Sequence, residues 1–395
     1  MVTQNKRLYF IDAMRAWAIL MMLQGHFVDG LLDPVFKDAS NTAYTTWRYF
    51  RGITAPVFFT VSGFIFTYLL LRAPRQGGHN PRIRKGLKRG FQLLLIGYLL
   101  RTNLFGLLQG TLYPSFFLVD VLHCIGVSLL VVIGFYWGAS RWNTRLLAPM
   151  LLISGLLLFL FEPIYKTWEY SWLPVAIANY FTRANGSVFT LIPWVGYALL
   201  GGFLSVVFRK YRQDPYLYLK SIALCLVAGT LLIRYASPFF NWTWKQTGIG
   251  LFDKIVSNNY LFMRLGDVLL VFAVFMLLRG LMKSAIFLKI GQNTLSIYVI
   301  HFIILYGSFT GMGLYQFFHH SLTPAVAISG ALAFMVVCTW TALWYDRNED
   351  RVKEILYKAW AFLKILLTTL GQRLFREGKA RMTRLGRYLN WGQGR

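Results

Sequence analysis

Long apolar runs alternate with short polar segments from one end of the chain to the other. Ten runs are read as helices: 9–32, 54–71, 90–108, 116–137, 146–162, 187–207, 217–236, 261–282, 287–309 and 323–345. Crossing a bilayer takes about 20 apolar residues in a helix. A helix also satisfies its own backbone where no water can. Gly and Pro interrupt several runs, which membrane helices tolerate. The predicted fold class is all-α, a polytopic bundle of about ten transmembrane helices. Residues 1–345 read as one membrane domain and 346–395 as a separate appendage. In the appendage, Ile355, Leu356, Ala359, Trp360, Leu363, Leu366, Leu367 and Leu370 recur at helical spacing, with Lys353, Lys358 and Lys364 between them. Arg373, Arg376, Lys379, Arg381, Arg384 and Arg387 follow. That is the pattern of an amphipathic helix and basic tail lying on an anionic membrane surface.

Composition agrees with the pattern. The 395 residues are 56% hydrophobic and only 14% charged, against about 25% charged in ordinary globular domains. The net charge of +26 would fit a nucleic-acid partner, but the cations gather in short segments between apolar runs and no nucleic-acid module is recognisable. Cys124, Cys225 and Cys338 are scattered through apolar runs, so neither a disulfide framework nor a metal site is expected. No cleavable signal sequence is read at the start, because the first apolar run is too long.

The cations give the orientation. Lys6 and Arg7, the loop 72–89, Arg141 with Arg145, the group Arg209, Lys210, Arg212 and Lys220, and Lys283 with Lys289 all fall on one side of a ten-span chain. The alternate loops around 107–115 and 310–322 carry no Lys or Arg. Cytoplasmic loops are enriched in Lys and Arg. Both termini are therefore expected in the cytoplasm.

The first span carries chemistry. Asp12, Arg15, His26 and Asp29 lie within or at the edge of its apolar run. Ionisable groups there are costly and point to function. Arg15 and His26 are eleven residues apart, three turns plus about 20°, so they share a helix face about 16 Å apart. Asp12 and Asp29 extend the stripe by one turn at each end. A structural alternative has Arg15 snorkelling and His26 at headgroup level. Other polar groups fall in predicted spans: Arg101 near mid-membrane, Asp120 and His123 three apart, Asp267, and Tyr298 and His301 one turn apart. Charged groups among them must face the bundle interior or a wet cavity, while the histidines can also be merely hydrogen-bonded. No pair of histidines inside a span has metal-ligand spacing, and no metal is expected.

The Arg15-to-His26 spacing within "IDAMRAWAIL" and beyond, with "TAPVFFTVSGFIF" (Thr54–Phe66) and "IGQNTLSIYVIHF" (Ile290–Phe302), resembles the transmembrane acyltransferase superfamily, which includes the acyltransferase-3 and heparan-α-glucosaminide N-acetyltransferase-like proteins. The resemblance implies an inner-membrane enzyme that takes an acyl group, acetyl being expected, from cytoplasmic acyl-CoA. The acceptor it implies is an envelope sugar or glycolipid. His26 is the expected base, because imidazole titrates near neutral pH, with Asp29 as orienting partner and Arg15 holding polar groups of the donor. Seven cations in loop 72–89 suit a phosphorylated ligand. Among them Arg82, Arg84, Lys85, Lys88 and Arg89, together with Arg101, are the expected acyl-CoA contacts. The rival is a transporter or lipid flippase, in which buried charges and broken helices are equally expected.

The orientation is checked by cysteine-accessibility labelling. Cysteines at Arg82 and at Gly110 are expected to label from opposite sides of the membrane, and labelling from one side would remove the ten-span arrangement.

Overall fold

The computed structural model describes residues 8–73 and 77–355, and positions 357, 358, 360, 361, 364, 368 and 369. The predicted basic segment 373–387, the stripe residues Leu356, Ala359, Leu363, Leu366, Leu367 and Leu370, and Lys6, Arg7 and Arg75 lie outside the described residues. The chain divides into two compact units on either side of the Trp340–Thr341 bond.

The helices in chain order are α1 (Tyr9–Leu31), α2 (Thr42–Leu71), α3 (Pro81–Leu100), α4 (Leu104–Leu108), α5 (Val121–Trp142) and α6 (Leu147–Leu160). Short α7 (Glu162–Tyr165) and α8 (Val175–Ala178) precede α9 (Leu191–Lys210), α10 (Leu217–Thr247), α11 (Gly250–Ser257) and α12 (Tyr260–Leu277). The rest are α13 (Ala285–Gln292), α14 (Thr294–Tyr306), α15 (Leu314–Phe318) and α16 (Pro324–Arg347). Two isolated bridges, Leu32 to Leu322 and Asn103 to Phe309, are the only β pairing among the described residues.

Every predicted span has a helix at its position, but the boundaries differ for physical reasons. By length and apolarity six helical segments can cross a membrane, and the bent pair α13–α14 makes a seventh if its two halves form one span. α6, with 14 residues, and α1 and α3, with their ionisable side chains, fall outside that criterion, so ten crossings remain an expectation. The second helix begins at Thr42 rather than near 54, because the Asn41 side chain caps it by accepting from the Tyr44 amide. That brings Arg51 onto α2. The third ends at Leu100 rather than 108, and Arg101 is its C-cap instead of a mid-span residue. The fourth starts at Val121, with Asp120 as its N-cap. The predicted run 287–309 is broken at Asn293, where its two halves meet at 72°.

Lipid tails are as apolar as leucine, so close van der Waals packing has to hold such helices together. Small residues mark the crossings. Gly90 lies on the Gly126 carbonyl, Gly155 on that of Gly196, and Gly229 and Gly266 lie on each other's carbonyls. The α2–α9 crossing is closer still: a Cβ on Gly201 would sit 1.9 Å from the Thr60 oxygen, and one on Gly63 would sit 1.9 Å from that of Ala198. An aromatic cluster of Phe10, Phe64, Phe208 and Phe272 then joins α1, α2, α9 and α12.

Two pairs of helices run parallel. Arg15 meets Thr294 and His26 meets Tyr306, so α14 runs alongside α1. Phe59 meets Trp194 and Phe64 meets Phe208, so α9 runs alongside α2. In a membrane, parallel helices need an odd number of crossings between them. With α5 crossing, α3 and α6 must therefore both cross or both not.

The crossing predicts a contrast between two glycines. Gly201→Ala forces the α2–α9 backbones apart, and a loss of about 1–3 kcal/mol is expected, as for other overpacked sites. Gly134→Ala on α5 meets nothing within 4 Å and should be neutral or gain up to about 1 kcal/mol from helix propensity. Thermal unfolding followed by detergent-phase size exclusion separates the two.

Candidate active site

The C-terminal half of α1, the N-terminal half of α2, the end of α3, the segment before α5 and the C-terminal half of α14 surround a cavity of about 620 Å³. Ligand sites commonly hold about 300–1,000 Å³. His26, Arg51, Arg101, Asp120, Tyr298 and Tyr306 provide its polar wall, and Phe58, Phe189 and Phe302 much of its apolar one.

Gly25, beside His26, lets the Arg51 side chain approach α1: a Cβ there would meet it at 3.2 Å. The His26 Nδ1 lies 2.9 Å from the Tyr306 hydroxyl, two side chains 280 residues apart in sequence. The His301 ring lies 5.5 Å from that of His26 and is fully buried. With Nδ1–H donated to Tyr306, the Nε2 lone pair is left to take a proton. This is the base-plus-orienter geometry of nucleophile activation.

Asp29 does not serve as the orienter. Its carboxylate is ion-paired with Arg51, and its backbone carbonyl accepts from the Lys37 ammonium at 2.9 Å. Across the cavity, Arg101 Nε lies 3.3 Å from Asp120 Oδ2, and Nη1 donates to the Ser115 carbonyl at 3.4 Å. Asp120 also caps α5 through the Leu122 amide. His123 completes that cap, its Nδ1 accepting from the Asp120 amide at 3.2 Å. Gly97 makes room for the imidazole, since a Cβ there would lie 2.6 Å from the ring. His123 is thus a capping residue and lies outside the cavity wall.

The remaining predicted residues separate. Arg15 donates to Thr294 Oγ1 at 2.9 Å and lies 3.9 Å from Asp12, off the cavity wall. It stands beside the break that opens α14. Gly291 permits this, because a Cβ there would sit 1.9 Å from the Asp12 carbonyl. Asp267 accepts from Tyr49 and from Arg264 and braces α12 against α2 outside the cavity. Arg82, Arg84, Lys85, Lys88 and Arg89 lie at the start of α3, and Arg101 follows its last residue. Seventeen residues separate Arg84 from Arg101, about 25 Å of helix. The five loop cations and Arg101 therefore do not form one site.

Sequence reasoning missed Arg51 and Tyr306. Arg51 was placed before its helix. Tyr306 lies eight residues after Tyr298 and five after His301, about 80° and 140° away around the helix, so the shared face that links Tyr298 to His301 does not point to it.

The chain belongs to the acyltransferase-3 family: the model of that family, described as an acyltransferase domain, matches residues 8–344. No match was found among curated proteins. The family and the apolar helices identify a membrane protein with acyltransferase activity in general.

Loss of the Tyr306 hydroxyl removes one neutral hydrogen bond, about 0.5–1.5 kcal/mol. Tyr306→Phe should therefore lower kcat about two- to tenfold, with KM for the acceptor little changed. Steady-state kinetics on purified protein checks this, and an unaltered kcat would show that Tyr306 does not orient the base.

Proposed function

We propose that the chain transfers an acyl group, acetyl in the simplest case, from acyl-CoA in the bacterial cytoplasm to a hydroxyl or amine of an envelope sugar or glycolipid at the outer face of the inner membrane. Both termini are then cytoplasmic, as the Lys and Arg distribution suggests. The observation that carries the reading is His26, hydrogen-bonded through Nδ1 and facing a cavity large enough for a reacting pair.

In this mechanism His26 Nε2 takes the proton of the acceptor hydroxyl or amine as its oxygen or nitrogen attacks the thioester carbonyl. The tetrahedral oxyanion forms within reach of the cavity cations Arg51 or Arg101. It collapses with loss of coenzyme A thiolate, which takes up the proton from His26. The aromatic wall of Phe58, Phe189 and Phe302 supports a sugar acceptor, whose ring faces stack on such groups. Arg82, Arg84, Lys85, Lys88 and Arg89 would hold donor phosphates at the start of α3. Arg15, about 16 Å from His26 along α1, would meet the polar pantetheine arm between them.

A general base contributes about 10²–10⁴ in rate. His26→Gln keeps polarity but cannot take the proton at neutral pH, so turnover should fall by at least that lower figure, with protein level and donor binding retained. Coenzyme A release by purified variant and wild type, with envelope glycan as acceptor, measures it. More than about a tenth of wild-type turnover in His26→Gln would exclude the mechanism.

A further inference from the structure

At the end of the bundle away from the cavity lies a second site that the acyl-transfer reading does not use. Arg72 follows α2 and stands 21 residues beyond Arg51, about 30 Å along that helix. Arg209 lies in the last turn of α9, and Arg212 in the turn after it. Arg72 and Arg212 both act electrostatically on the Arg209 guanidinium, as does Tyr68. The Arg209 Nη1 is shielded from solvent and has no hydrogen-bond partner. None of the three arginines pairs with a carboxylate among the described residues. The nearby acid, Asp214, is already engaged by Lys220 at 2.7 Å. Gathered guanidinium groups repel, and a buried N–H without an acceptor costs free energy. A bound anion removes both costs.

What adjoins the cluster identifies the anion. Phe208 and Tyr211, the neighbours of Arg209 and Arg212 in sequence, line a cleft of about 230 Å³ between α9 and α10. Its other walls include Phe64, Phe272, Leu204 and Met276. Tyr68 stacks on Phe64, linking the cations to the cleft wall. Leu224 lines the cleft on α10 and is 59% exposed on the outer surface of that helix. The cleft thus borders the lipid-facing side; its lining also holds the Asp214–Lys220 ion pair, and Arg209 and Arg212 each adjoin a lining residue in sequence. Guanidinium forks suit phosphate, and basic pockets between membrane helices take lipid headgroups.

We infer that Arg72, Arg209 and Arg212 bind the phosphate of an anionic phospholipid, with one of its acyl chains in the α9–α10 cleft. A soluble nucleotide phosphate would use the cations and leave the apolar cleft empty, so the cleft favours the lipid.

The test is native mass spectrometry of the full chain purified in detergent, with added phosphatidylglycerol, phosphatidylcholine or coenzyme A. Phosphatidylglycerol should be retained over phosphatidylcholine and should not be displaced by coenzyme A. Arg209→Gln should reduce its retention about tenfold, as loss of a charge-assisted hydrogen bond implies. Leu224→Trp, at an exposed position, should reduce it by filling the cleft, and decides the matter if Arg209→Gln fails to fold. Wild-type retention in a folded variant of either kind, equal retention of the two lipids, or displacement by coenzyme A would overturn the proposal.

Discussion

The structure depends on where the polar groups of the first helix find partners. In an apolar medium a guanidinium or imidazole has to be satisfied by protein or by enclosed water. Arg15 and His26 both find theirs on α14, at Thr294 and Tyr306. Eleven residues on α1 are matched by twelve on α14, so these hydrogen bonds fix the two helices parallel and in register over three turns. The residues joined lie some 280 apart in the chain. The intervening helices must therefore fold around that pair.

The break between α13 and α14 serves the same constraint. The 72° bend lets α13 lie on α1 through Gly291 while α14 runs beside α1 from Arg15 to His26. Broken helices recur where membrane proteins bind polar ligands, because their freed backbone groups line a cavity. Here the break lies beside Arg15, and the far end of α14 forms the cavity wall beside His26.

The opposite wall uses another device. Arg101 and Asp120 lie at helix ends, where unpaired backbone groups already require polar company. Asp120 caps α5 and pairs with Arg101, so one carboxylate both ends a helix and balances a cavity cation. Arg51 is balanced in the same way by Asp29. Each of the two cavity arginines thus has a carboxylate partner within an otherwise largely apolar wall.

The sequence by itself determined the fold class, the positions of the apolar helices and that Arg15 and His26 share a face of the first helix, because hydropathy and helical period are local properties. It did not determine helix ends set by caps. Asn41 starts α2 twelve residues early and so puts Arg51 in the wall, and Asp120 opens a helix where an unbroken apolar run was read. Only the tertiary structure decided which polar groups meet. Asp29, three residues from His26, turns to Arg51 on α2, while Tyr306, from the far end of the sequence, takes the imidazole. Spacing along one helix says which residues share a face. It cannot say which other helix that face will meet, because long-range packing makes that choice.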